Sequence, residues 1–98
     1  EVDFLNRASK IIKSHHECYD GTGYPDGIKG SDIPLESQIL SVADAYDAMT
    51  TDRPYREAFS EKGAWEELER KSGTQFSPEV VRAFRKAVDK KQEITNAI

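Results

Sequence analysis

Apolar positions along the first segment recur at intervals of three and four. Phe4, Leu5, Ala8, Ile11 and Ile12 lie on one stripe with no Gly or Pro among them, which predicts an amphipathic helix from Asp3 to Cys18. His15 and His16 extend that stripe. The pattern then breaks: Gly21, Gly23, Pro25, Gly27 and Gly30 fall within eleven residues around a Pro-Asp-Gly turn signal, so Asp20 to Gly30 is a loop. A second helix begins at Pro34 and runs through Leu35, Ile39, Val42, Tyr46 and Met49 to about Thr50. Ser60 is a good N-cap for a third, carrying Ala64, Trp65 and Leu68 and closed by Gly73. Ser77-Pro78-Glu79 opens a fourth along Val80, Val81, Phe84, Ala87 and Val88. From Lys90 the periodicity weakens, and the tail is expected to fray.

No segment alternates like a strand over more than four residues, and no repeat is present. The fold class is therefore all-α, with about four helices and a glycine-rich loop between the first two. Tyr19, Tyr46, Trp65, Phe76 and Phe84 read most simply as core or loop anchors.

With 98 residues, 37% of them apolar, the chain can form one small domain with a modest core. Its net charge of -4, from 14 Lys and Arg against 18 Asp and Glu, repels a phosphate backbone at long range and excludes a general binder of polymeric nucleic acid. A local basic patch for one small phosphate ligand remains compatible with that balance. One cysteine, Cys18, permits neither an internal disulfide nor a cysteine-rich zinc site, so the chain reads as cytoplasmic. It carries no pattern of a signal peptide or membrane span. The chain opens inside a helical pattern and its single methionine is Met49, so a piece of a longer protein is expected.

Adjacent histidines sit about 100° apart around a regular helix, so His15 and His16 cannot both point at one ion but could serve neighbouring positions of a two-metal cluster. The alternative is that one imidazole caps terminal carbonyls while the other packs or faces water, which is the commoner arrangement for a His-His pair in an arbitrary helix. Carboxylates are hard oxygen ligands, and Asp44 and Asp47 lie one turn apart at the margin of the second helix's apolar stripe. They bring an acid back towards the histidines or simply face water. The glycine loop fits neither an EF-hand, because Tyr24 and Pro25 occupy ligand and turn-glycine positions, nor a dinucleotide fingerprint, because no strand precedes it. What remains is a loop whose amides and Tyr24 ring can line a pocket, or a plain connector. Arg53-Pro54-Tyr55-Arg56 sets two permanent charges on a rigid turn, suited equally to gripping phosphate oxygens and to pairing with helix carbonyls and nearby acids.

Taken jointly, His15-His16-Glu17, Asp20-Gly21, Gly23-Tyr24-Pro25, Gly27, Gly30, Ile33-Pro34, the run from Val42 to Ala48, and Arg53-Pro54-Tyr55-Arg56 strongly resemble the HD-GYP domain. Ser72-Gly73-Thr74-Gln75-Phe76-Ser77-Pro78 and the helix after it resemble that family's closing segment. The resemblance covers nearly all of residues 1–98 but only the C-terminal half of the family's domain. It implies an all-helical, metal-dependent bacterial phosphodiesterase that opens cyclic di-GMP to linear pGpG, with GMP as a second candidate product. Two or three divalent ions, iron or manganese, are implied, with His15, His16 and Asp44 as metal ligands. Arg53 and Arg56 correspond to residues that hold substrate phosphates, and Gly23, Tyr24 and Pro25 to the wall of the guanine pocket and a contact for signalling proteins. Glu17 and Asp20 resemble residues that fix the loop and imidazoles, and Asp47 joins that supporting set. The family's His-Asp dyad and two further histidines lie ahead of the position equivalent to Glu1. The 98 residues alone are thus expected to hold metal weakly, to turn over little or nothing, and to self-associate through Phe4, Leu5, Ile11 and Ile12. A non-catalytic signalling or interaction module using the loop is the alternative reading.

Overall fold

The computed structural model describes residues 2–97. Four helices follow one another: α1 (Val2–Ser14), α2 (Leu35–Thr50), α3 (Glu61–Arg70) and α4 (Pro78–Ala97). A single 3-10 turn, Gly30–Asp32, lies between α1 and α2. Among the described residues no strand forms, and the isolated bridges lie at Arg53 with Arg56 and Ser72 with Phe76. This is the all-α architecture expected from the pattern of apolar positions.

Local chemistry explains most boundaries. Pro34 precedes the first residue of α2, where its missing N–H costs nothing. Ser60 caps α3 by accepting the Gly63 N–H on its hydroxyl at 3.0 Å. Ser77 caps α4 in the same way, its hydroxyl accepting from the Val80 amide at 3.4 Å. Gly73 takes a φ of +93°, which turns the chain after α3.

The core lies between α2, α3 and α4. Val42 and Met49 meet Ala64, Trp65 and Leu68, and Phe76, Val80 and Val81 close the far side. Three aromatics knit its edge: Tyr46 lies 4.7 Å from Trp65 and 5.4 Å edge-on from Phe84. Helix α1 stands apart from this core and rests on α2.

Two expectations are corrected. The first helix ends at Ser14, not Cys18, so His15 and His16 leave the helical wheel and occupy a turn. The last helix does not fray at Lys90 but continues to Ala97. Residues 89–96 are all exposed, so the lost periodicity records the absence of a buried face, while Lys, Gln and Glu still favour the helical backbone. The α1 stripe is also open: Phe4, Leu5 and Ile12 are 69%, 64% and 59% exposed.

Candidate functional site

The site is built where α1 stops. The last four carbonyls of a helix lack intrahelical partners, and here three find them close by. Ser37, fully buried on α2, donates its hydroxyl to the Ile11 carbonyl at 2.9 Å. The Ile12 carbonyl accepts from the His15 amide and lies against His15 Nδ1. The Ser14 carbonyl accepts from the Glu17 amide at 3.1 Å. These captures fold the chain out of the helix and present the two imidazoles side by side, ring centroids 3.9 Å apart and tilted by 39°.

Beyond them the glycine loop is anchored at several points. Its base is tied by backbone bonds from the Tyr19 amide to the Gln75 carbonyl, from the Asp20 amide to the Thr74 carbonyl, and from the Gly30 amide to the Tyr19 carbonyl. Asp20 Oδ1 accepts both the Thr22 amide (3.0 Å) and the Thr22 hydroxyl (2.7 Å). The Thr22 hydroxyl is the main reason the Asp20 carboxyl is held below its usual range, with the Thr22 amide second. Asp20 thus fixes the loop and does not reach the imidazoles. Gly23 packs directly on the histidine turn: a Cβ there would overlap the Cys18 amide nitrogen and stand 2.5 Å from the His16 carbonyl oxygen. Tyr24 stacks on His16, centroids 5.2 Å apart and planes within 16°. The Tyr24–Pro25 peptide is cis.

Across from the loop, α2 supplies Ser41, Asp44, Ala45 and Ala48, one helical face at spacings of three and four. With His15, His16 and Tyr24 they border an open cleft of about 470 Å³. The small side chains of Ser41, Ala45 and Ala48 are what leave room for it. Their spacing was visible in the sequence, although only Asp44 was singled out from that face. Thr22 and Gln75 also line the cleft and were not foreseen as site residues.

The three expected metal ligands therefore border one cavity. They do not close on one point, since among the described residues no three His, Cys, Asp or Glu side chains are grouped to hold an ion. His15 Nδ1 faces a carbonyl, which leaves Nε2 as the nitrogen available to a cation.

The remaining candidates lie elsewhere. Arg56 donates one guanidinium nitrogen to the Ala48 carbonyl at 2.9 Å and the other to the Glu57 carbonyl at 3.1 Å. It also covers the Phe59 ring at 5.0 Å. Of the two roles open to it in the sequence, this guanidinium occupies that of a helix cap. Arg53 is exposed on the turn that Arg56 secures, and the two residues exchange backbone hydrogen bonds. Neither guanidinium lines the cleft. Asp47 is exposed near Thr51, whose hydroxyl lies 3.5 Å from its carboxylate, and it too is outside the cleft.

Comparison with known proteins places these observations in a lineage. An HD domain profile matches residues 1–80. The chain is 44% identical over 92 residues to a cyclic di-GMP phosphodiesterase of Thermotoga maritima, covering 94% of this chain and 24% of that protein. A 3'3'-cGAMP-specific phosphodiesterase of Vibrio cholerae is 36% identical over 88 residues, covering 82% of this chain and 17% of its own length. The crystal structure of a Vibrio cholerae cyclic GMP-AMP specific phosphodiesterase superposes with a TM-score of 0.71 at 30% identity, covering 83% of this chain and 18% of that one. The chain thus spans about a quarter or less of the relatives it matches.

Proposed function

The chain belongs to the HD domain family, and we propose that it forms one wall of a metal-dependent phosphodiesterase site acting on cyclic dinucleotides, cyclic di-GMP first among them. The observation that carries this reading is the meeting of His15, His16 and Asp44 around one cleft beneath the glycine loop. Imidazole and carboxylate together suit iron or manganese, and the carbonyl at His15 Nδ1 fixes the tautomer a ligating Nε2 requires, so the donors fit a divalent cation. When bound, such ions neutralise phosphoryl charge and lower the pKa of a coordinated water towards 7.

This chain's own residues bind and orient. His15, His16 and Asp44 hold the cations. Arg53, exposed on a braced turn, meets a substrate phosphate with a fixed planar fork, while Arg56 holds that turn against the end of α2. Tyr24, 63% exposed with one face on His16, offers its edge and outer face to a purine. That same exposure, with Gly23 and Pro25 beside it, supports a second reading in which the loop contacts signalling proteins. Among the described residues no helix is long and apolar enough to cross a membrane, and the proposed place of work is the cytoplasm.

The test is incubation of the full-length protein with cyclic di-GMP, and separately with 3'3'-cGAMP, in the presence of Mn²⁺ or Fe²⁺. A linear dinucleotide is the expected product. His16→Ala is expected to abolish turnover. A His16→Ala protein with wild-type rate and metal content would overturn the assignment.

A further inference from the structure

We propose that Gln75 is a substrate-binding residue that reads the hydrogen-bonding edge of one purine. The inference deepens the reading of the cleft as a cyclic dinucleotide site and rests on it. Helix α2 serves as a ruler along the cleft. Ser41, Asp44 and Ala48 all border it, and at 1.5 Å per residue Ser41 stands about 10 Å from Ala48. Charged groups occupy the middle of that line and one end. Asp44 marks the middle, facing the two histidines. Arg56, bonded to the Ala48 carbonyl at 2.9 Å, docks the turn that bears Arg53 at the far end.

The Ser41 end is different. Gln75 stands beside Ser41 there, because both also border a polar cavity of about 10 Å³ behind the cleft. Glu17 borders the same two spaces, yet it is only 3% exposed and its Oε2 accepts the Asp26 amide at 2.7 Å. The groups open to a ligand at this end are therefore neutral. A cyclic dinucleotide is charged at its phosphates and neutral at its bases. Its phosphates belong with the cations and the guanidinium, so the part that extends past Asp44 to Ser41 is a base.

The chemistry of Gln75 suits that contact. Its main chain is fixed in both directions, the amide donating to the Lys71 carbonyl at 3.1 Å and the carbonyl accepting from the Tyr19 amide at 3.1 Å. Among the described residues the hydrogen bonds at position 75 are all main-chain, so the half-buried carboxamide is left for a ligand. Gln38, on the wall of the same small cavity, is the contrast: its side-chain nitrogen donates to the Ile33 carbonyl at 2.8 Å and the Gly30 carbonyl at 3.3 Å. A carboxamide carries an acceptor and a donor in one plane, the pairing that a purine edge can meet. Stacking on Tyr24 does not distinguish guanine from adenine, since every base has a π face. Discrimination requires a group of the kind Gln75 supplies.

The experiment uses the full-length protein with Mn²⁺. Cyclic di-GMP is the substrate, cyclic di-AMP, which differs only in its purine edges, is the competitor, and bis(p-nitrophenyl) phosphate is a diester without a purine. Gln75→Met, similar in length but lacking the amide, is expected to raise KM for cyclic di-GMP about tenfold and to leave cleavage of the purine-free diester within about twofold. An equal loss on both would overturn the proposal, because the residue would then act on the cation site. Gln75→Glu exchanges the donor for a second acceptor. Guanine offers two adjacent donors, N1–H and N2–H₂, on one edge and only the acceptors O6 and N7 on the other, whereas adenine has its single donor group, at N6, on both. The preference for cyclic di-GMP over cyclic di-AMP should therefore move by at least about fivefold, upward if Gln75 faces the first edge and downward if it faces the second. A preference within about twofold of wild type overturns the proposal, since Gln75 would then touch a ribose or phosphate that both ligands share. Should Gln75→Glu fail to fold, Gln75→Met decides, and a wild-type KM there overturns it. If the wild-type protein binds neither dinucleotide yet cleaves the purine-free diester, the cyclic dinucleotide reading itself falls and this one with it.

Discussion

Removing the Ser37 hydroxyl tests whether the end of α1, and with it the two histidines, is held by a single buried bond. Ser37 is completely buried, and its hydroxyl is the donor to the Ile11 carbonyl, at 2.9 Å. Ser37→Ala deletes one oxygen and leaves almost no cavity, so the cost is that of the bond and of the carbonyl it abandons. A neutral hydrogen bond contributes about 1 kcal/mol net, and a stranded buried carbonyl raises the loss to about 1–3 kcal/mol. The Ile11 carbonyl is only part-buried, so water compensates some of this, and about 1–2 kcal/mol is expected. For a domain of this size each kcal/mol lowers Tm by about 4–8 °C. Urea titration followed by circular dichroism should show a lower midpoint with an unchanged slope, whereas Ser31→Ala, at an exposed position, should stay within about 0.5 kcal/mol of wild type. A Ser37→Ala loss below about 0.3 kcal/mol would refute the reasoning, because the helix end would then be held by something other than this bond.

Two further outcomes are expected. Leu68→Ala, at the fully buried centre of the core beside Val42 and Trp65, should cost about 2–5 kcal/mol in the same titration. The 98-residue chain should self-associate through exposed Phe4, Leu5 and Ile12, and Leu5→Glu should disperse it. Sedimentation showing a single monomeric species at high concentration would contradict that expectation.

Most of the fold was legible because its determinants are local. Ser60, Ser77 and Pro34 act within one turn of themselves, and the stripes through Val42, Leu68 and Val81 follow helical periodicity. The end of α1 was not legible. No Gly or Pro stands there, and the helix is stopped by Ser37, twenty-six residues from the carbonyl it captures, together with the His15 ring. Arg56 was ambiguous for a related reason: which carbonyl a guanidinium finds depends on how the chain returns after α2, and the turn delivers it to Ala48. In the candidate site residue type marked His15, His16, Asp44 and Asp47 as donors and the family resemblance selected the first three, but Thr22 and Gln75 join them only through folding of the loop and of the segment before α4.

The two bonds from Tyr19 and Asp20 to the carbonyls of Gln75 and Thr74 are made entirely by main chain, so they are indifferent to which side chains stand at 74 and 75. Scaffold and tuning are thereby separated at this spot. Position 75 lines the cleft while its backbone carbonyl carries the loop, which leaves it open to substitution that alters the wall of the cleft without slackening the suspension of the loop.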